Sequence, residues 1–154
     1  LRTGHVTAPG FVSGLTAGIA AIAPAAGLVS PGAAILIGLV AAPACYFALR
    51  FVTRTLAIDD SNHVFALHGV GGLVGALLVA VFMSASLGGI GYPDGGGLGG
   101  QLLAQLIGLG AVAMWSILGT LIIGYGIAIA IPMRVSMAEE TGEPLTPADP
   151  SLPA

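Results

Sequence analysis

His68 is the only ionisable side chain in the run VFALHGVGGLVGALLVAVFM at residues 64–83. A neutral imidazole carries one donor and one acceptor, so it can hydrogen-bond a small polar solute or pass a proton. The run is long enough to cross the hydrocarbon core of a bilayer as a helix. An ionisable group there is costly to desolvate, so it faces a cavity or a partner and marks a pathway. The alternative is a histidine buried and hydrogen-bonded to a neighbouring helix. Gly72 and Gly75 stand four and seven residues on, and at helical spacing both share the face of His68. Glycines beside a buried imidazole leave the open space that a narrow conduit needs. The competing role for them is close helix packing, and it applies equally to Gly14, Ala17, Gly18, Ala21 and Ala25.

Few other residues offer chemistry. His63 lies five residues before His68, off its helical face, and His5 lies near the start of the chain. Asp59, Asp60 and Ser61 precede the run and read as a helix start, where an acceptor satisfies exposed N–H groups and acids suit the positive end of the dipole. A gating role is the other reading of these acids. A lone histidine is a weak metal signal, because zinc or haem needs further ligands. No nucleophile–base pair, phosphate loop or metal-ligand spacing occurs, so neither an enzyme nor a cofactor is expected. The single Cys45 lies in an apolar run and supports no disulfide framework.

The elements that would position these residues are membrane helices. Hydrophobic residues make up 56% of the 154 and charged residues 7%, with no lysine, far below the charge of a soluble domain surface. The formal charge of −3 comes mainly from the C-terminal tail, and no basic footprint suggests nucleic acid. An all-α polytopic bundle is expected, with four spans at about 11–29, 33–52, 64–83 and 102–131. Pro24 and Pro43 lie inside spans and predict kinks. Arg2, Arg50, Arg54 and Arg134 all fall on one side of four alternating crossings, while loops 30–32 and 84–100 carry no basic residue. The positive-inside rule puts both termini in the cytoplasm. The glycine-rich loop 84–100 fits a flexible linker or a packed loop at a pore mouth equally well. Residues 136–154 are acidic and proline-rich and predict a disordered cytosolic tail. Trp115 and Tyr125 fall mid-span, where packing is their expected role.

Asp59-Asp60 followed by VFALHGVGG at 64–72 resembles the DD…DVFGVHGVGG segment of the ammonium transporter family. Other stretches are similar in order: GIAAIAPAAG at 18–27 to the AGLVxITPAAG helix, and SLGGIG at 86–91 to the following outer loop. Gln101 to Gln105 with Met114-Trp115-Ser116 is similar to the QLxxQ…VWS start of the last span, and Met133-Arg134-Val135 to the LRV opening the tail. The resemblance covers residues 1–135.

It implies a homotrimeric plasma-membrane protein that moves ammonium or ammonia, one conduit per subunit, with a cytosolic regulatory protein at the inner face. Family members have eleven spans in two halves related as an inverted repeat, and this chain corresponds to the last four. Two histidines, one from each half, line the hydrophobic pore, and His68 matches the second. The earlier spans and the first histidine are expected outside this chain. By resemblance Gly72 and Ala23 line the pore, and His63 and Asp60 mark its cytoplasmic end. Ala23 replaces the usual threonine, removing a hydroxyl near the outer vestibule. His63 replaces the acid before VFG, and Ala66 a glycine. The tail keeps only Glu139, Glu140 and Gly142 of the EEE…GLD pattern. A competing expectation is a truncated or split-chain fragment acting as a non-conducting helical module, and a weaker one is a haem- or metal-binding bundle.

Overall fold

A computed structural model describes residues 7–60 and 62–131. Arg2, His5, Ser61, Arg134 and the tail therefore lie outside the described residues. Among the described residues the protein is all-α, with four helical segments long and apolar enough to cross a membrane: Ala8–Ala25, Pro31–Thr55, Phe65–Phe82 and Leu98–Ala130. The chain divides into two units, residues 1–111 and 112–154.

In the first unit, helix α1 (Ala8–Ile22) starts where the Thr7 hydroxyl accepts from Gly10 N–H at 3.3 Å, with proline in the first turn. Both features suit an N-terminus, where the first N–H groups lack partners and proline loses nothing. The α-helix gives way at Ile22 to a tight turn, Ala23–Ala25. Pro24 has no N–H to continue the ladder, and Gly27 then takes a left-handed φ of 79°, so this proline ends α1 rather than kinking it. Helix α2 (Pro31–Arg50) is capped by the Ser30 hydroxyl, and Pro43 lies inside a helix that stays continuous. It widens into a π turn, Phe51–Thr55. A second π turn, Phe65–Gly69, leads into α3 (Val70–Phe82).

These three helices pack against one another. Their core holds Ala21, Ala25, Ile37, Ala41, Val79 and Met83, with a smaller cluster of Ala17, Cys45 and Leu67. The alanines matter because small side chains let helix backbones approach, and dispersion between closely packed backbones is what holds helices together in lipid. At Gly75 the approach is closest: a methyl group there would overlap the backbone carbonyl of Ala21.

The loop between α3 and the next helix is packed. Tyr92 Oη donates to the Ala80 carbonyl at 2.9 Å, Ile90 N–H to the Leu28 carbonyl at 3.1 Å, and Ser30 Oγ to the Leu87 carbonyl at 3.2 Å. Gly88 takes a φ of 80°, and a Cβ there would come within 3.2 Å of Ser30. Of the two readings of this loop, the pinned one holds among the described residues.

Helix α4 (Leu98–Ala130) runs for 33 residues with none buried. Its residues from 112 onward form the described part of the second unit. Trp115 and Tyr125 lie there and are 80% and 74% exposed, so neither packs as a core side chain.

Candidate pore site

Asp60 opens the segment that carries His68. Its Oδ1 accepts from Phe65 N–H at 3.3 Å and its Oδ2 from Ala66 N–H at 3.2 Å. These are donors of the first helical turn, which has no intrahelical partner for them. The capping expected of this acid is present, delivered from five and six residues upstream rather than from the residue next to the helix. The chain turns between them at His63, whose φ of 55° is left-handed and uncommon for any residue but glycine. His63 N–H donates to the Asp60 carbonyl at 2.8 Å, and the His63 carbonyl accepts from Leu67 N–H at 2.8 Å.

His68 is exposed, while Ala66 and Leu67 just before it are buried. Its imidazole makes no hydrogen bond among the described residues, so it is not a buried, satisfied histidine of this bundle. Gly72 is half-buried with open space where its Cβ would be. The two other glycines of the helix serve packing. At Gly71 a Cβ would lie 3.4 Å from the Ala17 carbonyl, Ala20 Cβ and Cys45 Sγ, and Gly75 presses on Ala21. The expectation that Gly75 shares the open face of His68 is therefore corrected: only Gly72 does not meet a neighbour. The reason is the π turn, which interrupts the α-helical period on which that expectation rests.

His63 and Ala23 lie at opposite ends of α1. His63 lines a cavity of about 310 Å³ with Pro9, Gly10, Cys45, Tyr46 and Leu67 among its other walls. Ala23 is exposed in the tight turn after Ile22, and 15 helical residues separate that turn from the start of α1, roughly 22 Å at the rise of an α-helix. Reasoning from the sequence did not single out Tyr46. Its ring lies 5.9 Å from the Arg50 guanidinium and meets Phe47 edge-on at 5.6 Å. The i, i+4 spacing of Tyr46 and Arg50 was the available signal. Among the described residues no three His, Cys, Asp or Glu side chains converge.

What this arrangement can do is limited and specific. It presents one titratable, hydrogen-bonding group on the open side of a tightly packed apolar helix, with a glycine gap beside it.

The chain as a whole matches known proteins. The family model described as Ammonium Transporter Family matches residues 1–149. The chain is 39% identical over 143 residues to a putative ammonium transporter of Methanothermobacter thermautotrophicus, covering 91% of this chain and 35% of that protein. It is 40% identical over 136 residues to an ammonium transporter of Archaeoglobus fulgidus, covering 85% and 33%. An ammonium transporter of Aquifex aeolicus is 38% identical over 145 residues, covering 91% and 33%. The chain thus spans about a third of the length of these relatives.

Proposed function

This chain belongs to the ammonium transporter family, and on that premise we propose that it supplies one wall of a narrow, apolar conduit for ammonium, with His68 as the polar point of that wall. The exposure of His68 beside the open position at Gly72 is the observation that carries the reading. A dry pore imposes a heavy desolvation cost on Na⁺ or K⁺, which must cross as ions. Ammonium can leave its proton and cross as neutral ammonia. A neutral imidazole can accept that proton and donate to the ammonia nitrogen, and a second histidine from a further span would relay it. Further spans completing the enclosure, a homotrimer with one conduit per subunit, and a regulatory protein at the inner face belong to the same proposal.

Orientation follows from the arginines: both termini, His63 and Asp60 lie on the cytoplasmic side of the plasma membrane, and Ala23 lies toward the outer vestibule. Loss of the threonine hydroxyl at Ala23 would weaken polar recognition there without closing the path. A second reading is a helical module that does not conduct by itself. Its support is that α4 has no buried residue and the outer faces of α1 and α2 carry large exposed apolar side chains such as Phe11, Ile35 and Phe47. The deciding experiment measures ammonium-selective current with the remaining spans of a relative co-expressed. His68→Ala should abolish it, and unchanged selectivity would refute the role of His68.

A further inference from the structure

Seven residues make nearly two α-helical turns. In an unbroken α-helix, His68 would therefore lie on the face of Gly75, which is pressed against α1. The structure separates the two: Gly75 is buried, His68 is exposed, and Ala66 and Leu67 occupy the buried positions ahead of it. His68 is the fourth residue of the turn Phe65–Gly69, closed by Val70 N–H donating to the Phe65 carbonyl. Such a turn holds one residue more than an α turn between its bonded groups, so it displaces the register of the residues within and before it relative to Gly75.

A π turn persists only where the rest of the structure holds it open. At its C-terminal end the backbone is fixed by Gly71 and Gly75, packed on Ala17 and Ala21. At its N-terminal end the two oxygens of Asp60 hold the N–H groups of Phe65 and Ala66. The left-handed backbone of His63 is a sparsely populated conformation of the kind that endures when its surroundings over-determine it.

We propose that Asp60 is a positioning residue for His68: its carboxylate holds the start of the π turn Phe65–Gly69, and that turn faces His68 away from the packed side of the helix. Without the two carboxylate bonds the segment relaxes into the α-helical register, and His68 moves toward the side where Gly71 and Gly75 pack. The importance of this for transport rests on the role of His68 proposed above, whereas the register itself does not.

Cys45 provides a native reporter. Its Sγ lies 3.9 Å from the Leu67 carbonyl oxygen, in the same buried cluster. In the full 154-residue chain in membrane vesicles, Leu67→Cys and His68→Cys each add one thiol. Oxidation with copper phenanthroline, read by mass spectrometry, then reports which position reaches Cys45. With Asp60 present, position 67 should cross-link and position 68 should not. Asp60→Ala should exchange the two yields, while Asp60→Asn, which keeps a side-chain acceptor, should restore the parental pattern. If Asp60→Ala fails to accumulate, Asp60→Val, which likewise carries no acceptor, must shift the yields in the same sense. An unchanged pattern, or an equal fall at both positions, would overturn the proposal. A chain that keeps the expected pattern yet supports no ammonium current when the remaining spans of a relative are co-expressed would count against the conduit and leave the register standing.

Discussion

Adding one methyl group to Gly75 should cost far more than adding one to Gly72, though both lie in α3. At Gly75 a Cβ would run into the carbonyl oxygen, carbonyl carbon and Cα of Ala21, all backbone atoms of α1. Backbone cannot rotate aside as a side chain can, so the two helices must separate and lose contacts along their shared length. Overpacking of this kind costs about 1–3 kcal/mol, a shift of roughly 5- to 150-fold in a folding equilibrium. At Gly72 nothing lies within 4 Å of the new methyl group, and alanine is the better helix former by about 1 kcal/mol in water. The assay is reversible unfolding of the chain in mixed micelles, titrated with a denaturing detergent and followed by helical circular dichroism. Gly75→Ala should move the midpoint toward lower denaturant, and Gly72→Ala should leave it unchanged or raise it. Trimming Ala21 to glycine should not rescue Gly75→Ala, because the overlap is with the Ala21 backbone rather than its methyl. Equal midpoints for the two variants, or full rescue by Ala21→Gly, would refute the close-packing argument.

Three further outcomes are expected. Tyr92→Phe removes the hydrogen bond to the Ala80 carbonyl and should cost about 0.5–1.5 kcal/mol, seen as faster amide exchange in the loop between α3 and α4 with α1 and α2 unaffected. Cys45 is 1% exposed, so a maleimide should label it slowly in the folded chain and rapidly after denaturation; rapid labelling of the folded chain would contradict the packing of the Ala17–Cys45–Leu67 cluster. Expressed alone, the chain should take up no methylammonium in cells without their own transporters, and should do so when the remaining spans of a relative are co-expressed. Uptake by the chain alone would show that self-association can build a conduit around His68.

Much of the architecture follows from one-dimensional facts. A chain with almost no charge, in apolar runs of spanning length, has only helices available to it in lipid, since each backbone polar group must be satisfied within its own segment. The isolation of His68 in such a run marks it as unusual because an ionisable side chain is costly to hold in a membrane-spanning segment. Asp60 could be read as a cap for the same local reason.

What the sequence could not reveal was direction. An ideal helical period groups Gly72 and Gly75 with His68, and only the π turn at Phe65–Gly69 parts them, giving Gly75 to packing and leaving His68 open. That turn depends on what holds both its ends: a carboxylate reaching back from Asp60, and a backbone contact with a helix some fifty residues earlier in the chain. The same is true of the outer loop, whose glycines permit both a flexible linker and a pinned turn. The choice rests with Tyr92, Ile90 and Ser30 finding Ala80, Leu28 and Leu87. Local composition sets the solvent a segment can tolerate; which face it presents is settled by partners distant in the chain, because register is a property of contacts rather than of residues.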